Sequence, residues 1–379
     1  MKLLFGDSSR KELPGYLGGC DCTLIVTYPE GRQRLHCDPI LADWSCSSQL
    51  LWMDKVTENP GLHELQKQMD SLCGKAIDCV VAVGGGSALD TAKVLAVALG
   101  TRCQGNALID LLTNPNRPIN EKRVPLIALP TTSGTGSEVT PFATVWDHRQ
   151  KKKFSLAGPD MYPSLAIVDP VLTHTLPMET TISTGLDAIN QATESIWNRH
   201  ANPITVQLAT RALQIGIPAL IQLSETLHSA EARRNLAEAS LLAGMAISLT
   251  RTALCHSISY PITVHFGVAH GLACAFTMTS VLRQCVAVDD GRLTRLAVDL
   301  LGPKASLREL LHLYTELVDR LGVVQRVTRQ IDSLEALTAL IPEMITPGRA
   351  DNCMVSVDPN LLVQILQESW IGHSTTQLY

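Results

Sequence analysis

The hydrophobic period of this chain changes near its middle, and that change limits what it can fold into. Before residue 170, short β-branched runs recur at residues 22–27, 77–83, 125–129 and 165–168. Each is bounded by Gly, Pro or Asp, and amphipathic segments lie between them. Such alternation builds a parallel sheet covered by helices. After about residue 178 the runs stop. Residues 204–223, 233–249, 271–283, 307–321 and 361–370 instead carry apolar side chains at the 3.6-residue period. An α/β domain over 1–177 and an all-α domain over 178–379 are therefore expected, joined through a hinge at 169–177. A cleft between two such domains is the default place for a ligand.

A length of 379 residues with 45% apolar content suffices for two cores. The net charge of -5 and the lack of a Lys/Arg stripe argue against a nucleic-acid partner. A small anionic substrate needs only one or two local cations. The 11 cysteines are scattered, with no CxxC pair, as expected of reduced thiols in a cytoplasmic protein. Residues 1–7 turn polar before a signal-peptide core can form, and no stretch reads as the roughly 20 apolar residues of a membrane span. No membrane partner is expected.

Val80-Val81-Ala82-Val83-Gly84-Gly85-Gly86-Ser87 runs from a strand into a helix beginning near Ala88. Glycines there let backbone N–H groups approach an anion, and the helix N-terminus supplies a positive dipole end. The spacing is not GxGxxG, and a plain tight turn explains it equally well. The hydroxyl-rich loop from Thr131 to Glu138 also follows a strand. Two such turns at strand carboxyl ends favour one extended cofactor.

Asp187 and Gln191 lie four apart, on one face of a helix. His256 and His270 lie fourteen apart, and Pro261 and Gly267 are expected to break the stretch between them into two helices. A lone His more often makes a structural hydrogen bond than a metal bond. A mixed imidazole and carboxylate set suits iron(II), zinc or manganese.

Taken together, these segments resemble the iron-containing (group III) alcohol dehydrogenases. Gly84-Gly85-Gly86-Ser87-Ala88-Leu89-Asp90-Thr91-Ala92-Lys93 is similar to that family's GGGSxxDxAK element, and Pro130 to Val139 to its PTTxGTGSEV loop. Gly185-Leu186-Asp187-Ala188 and the spacing of His256, His270 and Gly271 resemble its metal segments. The resemblance implies an N-terminal Rossmann-like, parallel-sheet dinucleotide-binding domain and a C-terminal helical metal-binding domain, the dehydroquinate synthase-like arrangement. It implies NADPH or NADH bound by Gly84, Gly85, Gly86, Ser87, Asp90, Lys93, Thr131, Thr132 and Thr135. It also implies a divalent metal, Fe2+ first and Zn2+ second, on Asp187, His256 and His270, with Gln191 where the family has a further His. A homodimer is expected on the same ground.

Residues 141–147 and 152–156, Thr250-Arg251-Thr252, and the run from His256 to Pro261 are similar to the phosphonoacetaldehyde reductase branch of that family. The implied reaction is hydride transfer to a small anionic aldehyde, phosphonoacetaldehyde, with the metal polarising the carbonyl. Arg251, with Lys152 or Lys153, would hold the phosphonate. Tyr260 or His265 would donate the proton. Tyr28 stands where NAD-preferring members carry Asp, and with Glu30, Arg32 and Arg34 nearby it favours NADPH. The alternatives are a general short-chain alcohol, lactaldehyde or phosphonopyruvate reductase, or a metal-free nucleotide- or phosphonate-binding protein.

Overall fold

Apolar runs without alternation suit strands buried on both faces, and all four expected strands are wholly buried: residues 23–27, 79–84, 126–130 and 165–168. The computed structural model describes residues 1–100, 108–109, 123–150 and 152–372. The chain divides into two units, Met1–Thr132 with Ser137–Thr175, and Ser133–Gly136 with Leu176–Tyr379.

The first unit is built on a parallel sheet of β1 (Lys2–Phe5), β2 (Thr23–Thr27), β3 (Leu50–Met53), β4 (Cys79–Gly84), β5 (Leu126–Pro130) and β8 (Leu165–Val168), in the order β1-β8-β5-β4-β2-β3. The edge strands β1 and β3 escaped the sequence reading because they are four residues long and mostly half-buried. So did the antiparallel hairpin of β6 (Phe142–Asp147) and β7 (Lys152–Ala157). Helix α1 (Gly86–Gly100) follows β4 directly.

Two buried charges on α1 fasten the hairpin to the sheet. Asp90 accepts from the Ser137 hydroxyl at 2.6 Å and the Thr144 N–H at 2.8 Å. Lys93 Nζ donates to the carbonyls of Thr140 and Phe142 at 2.9 and 2.8 Å. Burial pulls the Lys93 ammonium down to about 8, against the opposing pull of Asp90 and Glu138.

The second unit is helical. It contains α2 (Met178–Ile196), α3 (Pro203–Glu225), α4 (Ala230–Thr250), α5 (Leu254–Phe266), α6 (His270–Phe276), α7 (Met278–Val286), α8 (Leu307–Arg320) and α9 (Pro359–Ile371), among shorter turns. The single helix expected over 271–283 is two, α6 and α7, parted at Thr277 (φ -100°, ψ -2°). Pro261 does not break α5. It lies inside that helix, which ends instead at Gly267 in the left-handed region. By length and composition α3 could cross a membrane, with a window of mean hydropathy 1.3, contrary to the sequence expectation. Half of that window is buried, and Leu213, Leu220 and Leu223 sit in the helical core.

Burial raises the Glu138 carboxyl from 4.5 to about 7, against its own backbone hydrogen bond and Lys93. The folded chain thus holds this proton more tightly than the unfolded chain. The contribution of Glu138 to stability should therefore fall as pH rises from 4.5 to about 7. Glu138→Gln removes that loss, so the variant should gain stability relative to the parent between urea melts taken below and above this window. An unchanged difference at the two pH values would show that the carboxyl titrates normally.

Candidate metal and cofactor sites

In the first unit the chain leaves β2 for β3 on one side and returns to β4 on the other. Such a reversal opens a crevice at the strand carboxyl ends. The Gly84–Ser87 turn lies there. A Cβ on Gly84 would sit 3.5 Å from the Tyr28 ring, and one on Gly85 would sit 3.2 Å from Thr132. The Thr131 N–H donates to the Gly84 carbonyl at 2.9 Å. The structure thus brings Gly84, Gly85, Gly86, Ser87, Thr131 and Thr132 together.

The other expected cofactor residues are placed differently. Asp90 and Lys93 are spent on the hairpin and face protein groups, because a buried charge takes the nearest partners. Thr135 belongs to the second unit, where its carbonyl accepts from Gln191 Nε2 at 3.4 Å. In that same loop a Cβ on Gly136 (φ 60°) would come within 2.4 Å of Gly244 Cα, so this glycine makes room for α4. Arg32 pairs with Asp54 at 3.8 Å and lies over Trp52, while Arg34 lies over Tyr28 and donates to Thr175. With partners already present, these arginines give weaker support for a 2′-phosphate.

In the second unit Asp187 on α2, His256 on α5, and His270 and Cys274 on α6 converge. One donor atom from each lies within 4.8 Å of the others. His256 Nε2 is 3.3 Å from Asp187 Oδ1, and Cys274 Sγ is 3.7 Å from His270 Nε2. Close packing of α6 on α2 sets this spacing: a Cβ on Gly271 would fall 1.8 Å from the Ser183 carbonyl oxygen. Cys274 went unassigned in the sequence, although it lies one helical turn after His270 on the same face.

Glu194 was also missed. It lies seven residues after Asp187, on the same face of α2, and is fully buried. Its carboxylate accepts from the Ala253 and Cys255 N–H groups at 2.6 Å each, and from His256 Nδ1 at 2.8 Å. It thus caps α5 and fixes the His256 tautomer, leaving Nε2 to face Asp187.

Tyr260 lies stacked with the His270 ring, centroids 6.1 Å apart. His265 does not join them. Nine residues along α5 carry it about 13 Å away on the opposite face, and its Nε2 pairs with Glu343 at 2.9 Å. Arg251 is exposed rather than held in an apolar pocket, and α4 ends on it with φ 62° and ψ 178°, a setting suited to glycine. The side chain of Lys152 lies outside the described residues, and Lys153 lies over Trp146 in the hairpin of the first unit.

The cluster is electrostatically poised for a cation. Burial raises the Cys274 thiol, yet the two imidazoles bring it down to about 7. Burial also opposes ionisation of Asp187, yet the hydrogen bond from His256 and the charges on both imidazoles hold it below the usual range. Asp187 Oδ1 and His256 Nε2 are buried with no polar partner but each other, at 3.3 Å, and Gln191 Oε1 is buried without one. Under-satisfied buried polar atoms are costly alone and are resolved by an ion, so the cluster of Asp187, His256, His270 and Cys274 fits a divalent metal.

Glu194→Gln keeps the shape but replaces an acceptor-only carboxylate with an amide. Zinc affinity should fall about 10- to 100-fold, as for lost outer-shell partners. Stability should fall by about 1–3 kcal/mol, because a buried N–H of α5 loses its acceptor. Competition against a chromogenic chelator and urea melts measure the two effects. Parental values in both would remove Glu194 from this role.

The family model for iron-containing alcohol dehydrogenase matches residues 1–170, and that for the C-terminal part of the Fe-containing alcohol dehydrogenase family matches residues 181–346. Phosphonoacetaldehyde reductase of Streptomyces viridochromogenes is 37% identical over 216 residues, 56% of this chain and 55% of that protein. The match thus spans about half the length of that relative. Probable alcohol dehydrogenase EutG of Escherichia coli is 31% identical over 285 residues, 73% of this chain and 69% of that protein. Among solved structures, sulfoacetaldehyde reductase from Bifidobacterium kashiwanohense in complex with NAD+ is 26% identical with a TM-score of 0.86, covering 97% of this chain and 96% of that one. With both halves of its length matched in order and the same fold throughout, this chain belongs to the iron-containing alcohol dehydrogenase family.

Proposed function

We propose that this chain reduces a small anionic aldehyde to its primary alcohol with a nicotinamide and a divalent metal, and that the aldehyde is phosphonoacetaldehyde. The observation that carries the reaction class is the convergence of Asp187, His256 and His270, in which Asp187 Oδ1 and His256 Nε2 are buried with no polar partner but each other. When bound, the nicotinamide supplies a hydride, and the metal supplies Lewis acidity toward a carbonyl oxygen. Asp187, His256 and His270 hold the ion, and Glu194 orients His256. The Gly84–Ser87 turn takes the pyrophosphate on N–H groups at the start of α1. Tyr260, beside His270, returns the proton that the alcohol oxygen needs.

Three observations support the anionic substrate. The relative at 37% identity is named for phosphonoacetaldehyde, and the structural neighbour at 26% for sulfoacetaldehyde. Both names describe a two-carbon aldehyde with a tetrahedral anionic group. Arg251, five residues before His256, has no side-chain hydrogen bond or ion pair among the described residues, and Asn198 Nδ2 fixes its carbonyl at 3.2 Å. Its guanidinium is free to meet that group.

Because Arg251 is exposed, its contact with a phosphonate is a solvated one. Its worth is about 1 kcal/mol, or roughly fivefold in kcat/KM. Arg251→Ala should lose that factor with phosphonoacetaldehyde and almost nothing with propanal, followed by NADH and NADPH oxidation. Equal losses with both aldehydes, or a parent enzyme that prefers propanal, would overturn the phosphonate assignment. In the first unit, Gly85→Val drives a side chain toward Thr132 and should raise the cofactor Kd by more than about tenfold. Titration of nicotinamide fluorescence checks this, and unchanged affinity would move the cofactor away from the turn.

A further inference from the structure

We propose that the metal is held through a thiolate: Cys274 is the fourth ligand beside Asp187, His256 and His270, and Gln191 stays outside the shell. Cys274 is fully buried, and its sulfur is 3.7 and 4.0 Å from the two nitrogens of His270. A tetrahedral zinc with ordinary bond lengths separates a sulfur and a nitrogen ligand by about 3.6 Å, and a nitrogen and an oxygen by about 3.3 Å. The Cys274–His270 and His256–Asp187 separations already match these spans. His270 Nδ1 lies 3.4 Å from the Ser259 hydroxyl, which leaves Nε2 for the ion.

Gln191 is the competing donor. It shares the α2 face of Asp187, and its Oε1 is buried without a partner. Its Nε2, however, is tied to the Thr135 carbonyl at 3.4 Å, and an amide oxygen is neutral and hard. A thiolate is anionic and soft, and for a borderline ion such as zinc it wins the position. On binding, the thiol proton passes to solvent and a sulfur–metal bond forms, with no change in oxidation state. Two anionic ligands then balance a divalent charge inside a buried site, and zinc is favoured over manganese.

This assignment rests on the metal-dependent reading above only for the presence of an ion. The test is therefore read without substrate or cofactor, on the full chain loaded with cobalt(II). The parent and Gln191→Ala should show a near-ultraviolet thiolate-to-cobalt charge-transfer band, and Cys274→Ser should lose it. Zinc Kd should rise on the order of 100-fold in Cys274→Ser and stay within about threefold in Gln191→Ala. Should Cys274→Ser fail to fold, the parent alone decides: X-ray absorption at the zinc edge of the zinc-loaded chain should show one sulfur bound at about 2.3 Å. A cobalt-loaded parent without the band, a band that survives in Cys274→Ser, or a zinc-loaded parent with no bound sulfur would overturn the ligand. A protein that shows the band but reduces no aldehyde would sink the reductase reading and leave the ligand standing.

Discussion

The second unit is organised around one buried carboxylate. Glu194 takes the N–H groups at the start of α5 on its two oxygens, and Oε2, which accepts from Ala253, also takes the Nδ1 of His256. A helix start needs acceptors, and an imbedded carboxylate needs donors. Each requirement is met by the other, so neither exists alone. The consequence is chemical as well as structural. The residue that caps α5 also decides which nitrogen of His256 faces Asp187, so helix docking and ligand orientation cannot vary independently.

The approach to α5 carries strain that serves the same end. Between α4 and α5 the chain bends by 104°, and Arg251 at the bend holds a backbone conformation costing about 1–3 kcal/mol for a residue with a side chain. It is held there by its N–H to the Ile247 carbonyl at 2.8 Å and by the Asn198 and Thr250 side chains on its own carbonyl. A gentler bend would carry the Ala253 and Cys255 N–H groups off Glu194. The strain is thus the local cost of keeping His256 in place.

In the first unit the buried Asp90 and Lys93 play a comparable part. Neither is a ligand-facing charge. Each satisfies backbone or hydroxyl groups of the segment from Ser137 to Thr144, an irregular turn that leads into β6 of the two-stranded hairpin. A charge-bearing motif beside a glycine turn invites assignment to the cofactor, yet here the charges build the wall and the glycines leave the opening.

Much of this was legible in the sequence. The strands Thr23–Thr27, Cys79–Gly84, Leu126–Pro130 and Leu165–Val168, the helical second half, and the shared face of Asp187 and Gln191 follow from local periodicity, which survives any packing. The parallel sheet with helices was readable for the same reason, and the family was readable from motif segments that resemble it, such as Gly84–Lys93 and Pro130–Val139. Position in three dimensions was not. That Cys274 comes within reach of His256 and Asp187 depends on Gly271 letting α6 settle onto α2. That His265 turns to Glu343 depends on Pro261 leaving α5 unbroken, so that helix phase carries His265 away from the cluster. Arg251 read as a pocket residue because sequence records distance along the chain from His256, whereas exposure is set by how the surrounding helices pack. Local pattern set the four central strands, the helical second half and the ligand types available, but not β1, β3 or the hairpin. Tertiary structure decided which of those ligands meet, because convergence depends on packing contacts between helices that the chain's local pattern does not encode.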